Sequence, residues 1–158
     1  MIVALFCYRT AGERTDRGGD HMLFTESLNQ NADFQRLYRS GAFCSLGSAL
    51  IYVKPNGLPC NRLGITAGKK IGNAVKRNRA KRIIRAAYAA AEPQLPIGLD
   101  IVVVARSTLS EQSANVLTEA FCTRGVKHCN GVSSGEIPCT PNQKHRSSSG
   151  SRPAGKQA

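Results

Sequence analysis

Carboxylates are scarce in this chain, with ten Asp and Glu against 22 Lys and Arg in 158 residues. None lies between Asp33 and Glu92. That interval therefore holds no carboxylate pair for acid–base work and no acidic cluster for two metal ions. Histidines number three, only His128 lies near the expected core, and no nucleophile motif accompanies it. The six cysteines, at positions 7, 44, 60, 122, 129 and 139, include no CxxC pair, so the usual spacing of a structural zinc site is missing. The apolar start Ile2–Phe6 is short and has no basic segment before it, unlike a signal peptide. Nothing else marks secretion, so Cys44 and Cys60 read as buried or half-buried thiols in a reducing compartment rather than as parts of a disulfide framework. No apolar run approaches the roughly 20 residues that a membrane-spanning helix needs.

Positive charge is what the chain has in excess. The formal net charge is +12 with 41% hydrophobic residues, a composition compatible with one globular domain and a polyanionic partner, nucleic acid ahead of an anionic membrane surface. Twelve Lys and Arg fall between Asp33 and Glu92, and eight of these lie between Lys69 and Arg85. Ile71, Val75, Ile83 and Ile84 interleave with the eight, which argues for a folded segment rather than a charged tail.

Organised sequence begins at Met22. Residues 1–21 read as a disordered extension ahead of an alternative start at Met22, residues 22–127 as the folded domain, and residues 128–158, rich in Ser, Gly, Pro and Lys, as a disordered tail. Phe34 and Tyr38 stand four apart on one face of a short helix that Gly41 ends. Ala49–Val53 and Arg62–Ala67 read as two strands of a hairpin turned at Pro55-Asn56-Gly57. Leu99–Ala105 is a near-continuous apolar run suited to a central strand. A helix spans Asn73 to Ala91 before Pro93, another spans Ser113 to Thr123, and Phe43–Ser48 is a candidate extra strand. The class is α+β, a small sandwich with helices on a sheet.

On a helical wheel for residues 73–91, Ala80, Ile83, Ile84, Ala87, Ala90 and Ala91 share one arc. Arg77, Lys81 and Arg85 follow at i, i+4 and i+8 on the opposite side, with Asn78 and Arg82 beside them and Tyr88 at the edge of that face. Like charges four apart repel by a few tenths of a kcal/mol per pair. A stripe with no acid to relieve it suits a helix that phosphates neutralise, whereas a solvated basic face is the bland alternative. Gly64, Gly68 and Gly72 near Lys69 and Lys70 allow close backbone approach to a phosphodiester. Phe34, Tyr38 and Tyr52 offer stacking surfaces for unpaired bases, with ordinary core packing as their alternative.

The run Lys69-Lys70-Ile71-Gly72-Asn73-Ala74-Val75-Lys76-Arg77-Asn78-Arg79-Ala80-Lys81-Arg82-Ile83-Ile84-Arg85 resembles the signature of the bacterial ribonuclease P protein family, with its Arg-Asn-Arg motif. Ser27-Leu28-Asn29, Asp33-Phe34-Gln35-Arg36-Leu37-Tyr38, Gly41, Arg62-Leu63-Gly64-Ile65 and Asp100-Ile101-Val102-Val103-Val104-Ala105-Arg106 follow the family's order. The resemblance covers about residues 22–110. Gly68 departs from the usual Ser or Thr, and beyond Ser110 the likeness fades, Phe121–Gly125 only loosely matching the family's last helix.

The resemblance implies a two-layer, ribosomal-protein-like sandwich on a mixed sheet, with a left-handed βαβ crossover. It implies a cytoplasmic protein bound one-to-one to a catalytic RNA. That RNA removes the 5′ leader of precursor tRNA, using Mg²⁺ in its own active site, while the protein alone binds no cofactor, holds no metal and supplies no catalytic residue. By matching position it assigns Lys69, Lys70, Asn73, Arg77, Asn78, Arg79, Lys81, Arg82 and Arg85 to RNA contact, and Phe34, Tyr38 and Tyr52 to a leader-binding cleft. A ribosomal or other structural RNA-binding protein would share the basic helix without the processing role. A protein nuclease would need the clustered carboxylates or histidines that are missing here.

Overall fold

The computed structural model describes residues 22–139; the expected extension 1–21 and the tail from residue 140 onward lie outside the described residues. Five strands form one mixed sheet: β1 (Thr25–Ser27), β2 (Ala42–Ser45), β3 (Ala49–Pro55), β4 (Asn61–Thr66) and β5 (Leu99–Ala105), in the order β1-β4-β5-β3-β2. β4 runs parallel to both β1 and β5, whereas β3 is antiparallel to β5 and β2. The helices are α1 (Asn31–Ser40), α2 (Ala74–Ala91), α3 (Ala114–Ala120) and α4 (Val126–Ser133). α2 forms the crossover between the neighbouring parallel strands β4 and β5.

Strand alternation decides which helix covers which face. In β3, Ala49, Ile51 and Val53 point to one side and meet Ala105, Val103 and Ile101 of β5 in register. On that side they join the main core with Ala80, Ile83, Ile84 and Ala87 of α2, Leu117 of α3 and Cys129 of α4. Leu50 and Tyr52 point the other way, opposite Val104 and Val102. There Val102 packs with Leu28 and with Leu37 of α1, and Phe34, Tyr38 and Tyr52 border the cluster. The central strand β5 is buried on both faces, as its unbroken apolar run requires. The expected α+β sandwich is therefore the observed one, with α1 laid alone across part of the face opposite α2–α4.

Four expectations need correction. Ala49–Val53 and Arg62–Ala67 are not the two strands of a hairpin: the apolar strand β5 takes the central position between them, antiparallel to β3 and parallel to β4, and β3 forms its hairpin with β2 instead. β1 was not anticipated, because three residues of Thr, Glu and Ser carry no apolar alternation. It is held instead by α2's C-terminal end: the Glu92 carboxylate accepts from the Leu23 and Phe24 amides, each at 2.8 Å, and from Thr25 Oγ1 at 2.6 Å. Tyr88 does not border the basic face. It is fully buried against Phe121, its hydroxyl sits 2.9 Å from Thr25 Oγ1, and burial pushes its phenol pKa well up. One turn beyond Ile84, it lies where the sheet and the following helices both cover α2.

The last correction concerns residues 128–133, which are not a disordered tail. The helical path begun by α3 passes through a π-helical turn at Phe121–Gly125 into α4, whose Cys129 and Val132 are buried. Leu117, Ala120, Phe121, Val126, Cys129 and Val132 make a helical stripe that the surrounding Ser, Gly and Lys mask in a compositional average. Beyond α4, Ile137 donates its amide to Gly131 O at 2.9 Å, folding the chain back on the helix.

α1 is seated by charge as well as by Leu37. Arg62 of β4 donates Nη1 to Asp33 Oδ2 at 3.1 Å, Nη2 to Asp100 Oδ2 at 2.6 Å and Nε to Asp100 Oδ1 at 2.7 Å. Asn56 Nδ2 adds a bond to Asp100 Oδ1 at 2.9 Å. Both carboxylates are buried, so removing their shared cation leaves two desolvated negative charges. Arg62→Met is therefore expected to lower stability by about 3 kcal/mol, checked by urea denaturation at neutral pH, with near-wild-type stability as the contrary result.

Candidate nucleic-acid interface

Two surfaces contain the residues singled out from sequence. On the face covered by α1, aromatic rings form a row. Phe34 and Tyr38 are 6.5 Å apart between ring centroids, Tyr38 meets Tyr52 edge to face at 5.1 Å, and Tyr52 lies 6.2 Å from Phe43. Phe34, Tyr38 and Tyr52 are each half-buried, one side packed on Leu37 and Val102 and the other facing out of the cleft. The core-packing and surface readings are thus both realised in the same side chains. Tyr38 OH and Thr66 Oγ1 are 2.8 Å apart, which fixes the ring against β4.

Gly64 lets this arrangement close. A Cβ there would lie 2.6 Å from Phe34 Cζ, so the ring occupies the space a side chain would need. Burial raises the Tyr52 phenol pKa, and neighbouring Tyr38 adds to the effect while Arg106 opposes it. The phenol is consequently neutral around pH 7 and presents no negative charge to a phosphate. Arg106 Nη1 donates to Gly47 O at 2.9 Å, holding this cation beside the β2–β3 hairpin.

The second surface is the start and flank of α2. Lys69 and Lys70 are exposed on a 3₁₀ turn, Lys69–Ile71, pinned by buried Ile71. Gly72 follows at φ 122°, a conformation costly for any residue with a Cβ. Asn73 caps α2, its Oδ1 accepting from Lys76 N at 2.9 Å. That gives it a structural task beside the RNA contact expected of it. Arg77 Nη1 donates to Gly72 O at 3.1 Å.

Asn78, Arg79, Arg82 and Arg85 are exposed, and Arg77 and Lys81 are half-buried. The stripe Arg77-Lys81-Arg85 borders the buried arc of α2 rather than opposing it, so two of its members lie along the sheet edge. Among the described residues, the ion pairs join Arg36 and Arg62 to Asp33 and Asp100, and none includes a cation between Lys69 and Arg85.

The two surfaces meet. A trough of about 280 Å³ is lined by Phe34, Ile65 of β4 and Lys81 and Arg85 of α2, together with Glu26 and Asn29. That volume is at the lower limit of small-molecule pockets, and its open form suits a passing chain better than an enclosed ligand. On the far side of α2, Asn78, Arg79 and Arg82 line a second groove with Val75 and Ala114. Of the expected residues, Phe34, Lys81 and Arg85 line the trough and Asn78, Arg79 and Arg82 the second groove, whereas Lys69, Lys70, Asn73 and Arg77 lie at the start of α2 and Tyr38 and Tyr52 continue the aromatic row away from the trough. Phe43 and Arg106 were missing from the expected set. Phe43's strand assignment was its available signal, since period-2 alternation puts it on Tyr52's side of the sheet. Among the described residues, no three His, Cys, Asp or Glu come together as a metal site, and no helix is long and apolar enough to cross a membrane.

Tight packing of Phe34 on Gly64 has a measurable consequence. Gly64→Ala should cost about 1–3 kcal/mol by displacing the ring, and in a Phe34→Ala background the same change should cost markedly less. A double-mutant cycle of denaturation midpoints reads the coupling, and strict additivity would show that the ring does not confine position 64.

Comparison with known proteins agrees with the geometry. The ribonuclease P family model matches residues 22–128. The ribonuclease P protein component of Brevibacillus brevis is 37% identical over 95 residues, covering 60% of this chain and 75% of the relative. That of Lachnoclostridium phytofermentans is 41% identical over 97 residues, covering 61% and 84%. The solved RNase P protein of Staphylococcus aureus superposes with a TM-score of 0.56 at 30% identity, over 68% of this chain and 94% of that one. The Thermotoga maritima protein gives 0.59 at 28% identity, over 65% and 96%. The chain belongs to the ribonuclease P protein family, as a protein subunit of this tRNA-processing endoribonuclease.

Proposed function

We propose that the two surfaces divide the binding work within a ribonucleoprotein that removes the 5′ leader from precursor tRNA. α2 and the preceding turn dock on the catalytic RNA through Lys69, Lys70, Asn73, Arg77, Asn78, Arg79, Lys81, Arg82 and Arg85. The aromatic cleft of Phe34, Tyr38 and Tyr52 holds the single-stranded leader. The observation carrying this reading is the trough that Phe34, the end of the aromatic row, shares with Lys81 and Arg85: a strand passing over Phe34 leads on to the cationic helix. Hydrolysis belongs to the RNA and its Mg²⁺ ions, and no side chain of this protein is assigned to a metal. One protein binds one RNA, in the cytoplasm.

The chemistry fits each surface. Arg presents a planar fork to phosphate oxygens and Lys a mobile point charge, and cations with no acidic partner need not break an ion pair before meeting phosphate. Aromatic faces accept any base, which suits leaders of differing sequence.

Lys81→Ala and Arg82→Ala are each expected to weaken binding to a bacterial ribonuclease P RNA and to reduce the slope of log K against log salt by somewhat under one. An unchanged slope for both would remove α2 from the RNA contact. Tyr38→Ala is expected to weaken holoenzyme binding of leadered precursor by about 1–3 kcal/mol while sparing leaderless tRNA. Equal losses for the two ligands, or none for either, would overturn the cleft assignment.

A further inference from the structure

We propose that Phe43 is an additional base-stacking platform, through which this protein grips one more unpaired nucleotide at the β2 edge than Phe34, Tyr38 and Tyr52 hold. The proposal rests on the reading of that cleft as the seat of the single-stranded leader. Phe43 lies in a strand directly opposite Tyr52, on the sheet face that carries α1, yet it is 58% exposed. A large apolar ring left open on an edge strand invites association unless something covers it. The 6.2 Å step from Tyr52 falls between the 5.1 and 6.5 Å steps within the row, so the row gains a position. Tyr38 turns its edge to Tyr52 at 82°, whereas Phe43 is tilted only 36° from it, so the Tyr52 surface continues outward onto Phe43.

Charge at this end of the row favours the same occupant. Arg106 is tied to the hairpin carbonyl of Gly47 and acts electrostatically on the Tyr52 phenol, which puts a cation beside the outer rings. Residues 42–55 contain no Asp or Glu, so nothing acidic on this hairpin repels a phosphate. A base on Phe43 with its phosphate towards Arg106 satisfies both groups. An aromatic held by a strand also has few rotamers to lose on stacking.

The test uses holoenzyme assembled from the full chain and a bacterial ribonuclease P RNA, with precursor tRNAs whose leaders grow one nucleotide at a time. Wild-type affinity should gain about tenfold at a leader length where Phe43→Ala gains nothing, and the two should bind equally below it. The chain has no tryptophan, so Phe43→Trp introduces a single fluorophore. It should retain wild-type affinity and be quenched only by leaders that reach that length. Tyr38→Ala, measured alongside, should lose affinity for every leadered precursor. If Tyr38→Ala loses affinity but Phe43→Ala matches wild type throughout, Phe43 is not a platform while the cleft stands. If both match wild type, the cleft reading falls and Phe43's role with it. A Phe43→Trp signal that no leader quenches also overturns the proposal.

Discussion

The guanidinium of Arg62 holds the face of this protein that carries α1 in place. It sits between Asp33 of α1 and Asp100 of β5, with all three charges on the sheet face away from the main core. A buried ion pair adds little to stability compared with apolar packing of the same volume, but it is costly to break and strict about geometry. Here it ties α1 to the neighbouring strands β4 and β5. Phe34 and Tyr38 ride on the same helix, one residue and five residues beyond Asp33. Their positions against β4 and Tyr52 are therefore set by Arg62 together with the packing of Leu37 and the Tyr38–Thr66 hydrogen bond.

The same interaction determines the electrostatics of the cleft. Asp33 and Asp100 would repel a phosphate backbone if they faced it bare, and Arg62 neutralises them while they lie buried. Glu92 is likewise consumed, by two backbone amides and a threonine hydroxyl that hold β1. Few carboxylates are present, and these three are turned inward to structural tasks. What α2 itself turns outward is cationic, while Glu26, which lines the trough, and Glu111 and Glu119, beside or on segments packed against α2, are exposed acids.

Such a surface makes α2 a helix under electrostatic load. Repulsion along Arg77, Lys81 and Arg85 opposes it by a few tenths of a kcal/mol per pair. Burial of Ala80, Ile83, Ile84, Ala87 and Tyr88 and the Asn73 cap outweigh that cost. Small residues on the buried side let α2 lie close to the sheet, and Lys81 and Arg85 share the trough with Phe34. The protein thus pairs a row of half-buried aromatic rings with α2 cations that make no ion pair among the described residues.

Much of this was legible in the primary structure. The alternation of β3, the apolar run of β5, the i, i+4 pairing of Phe34 with Tyr38 and the acid-free interval are local patterns, and local patterns fix elements and their polarity. They showed which residues are cationic and which aromatic, and the Lys69–Arg85 run identified the family. Tertiary structure alone decided what depends on neighbours distant in the chain. β1 has no pattern of its own and exists because Glu92 and β4 offer partners. Tyr88 is buried because helices after β5 cover the flank of α2, and residues 128–133 are helical because their sparse stripe meets a core that other segments built. The joining of cleft and basic helix into one trough was likewise invisible in sequence. A wheel or an alternation assigns a side chain to a face, but only the packing of one element on another determines what that face meets.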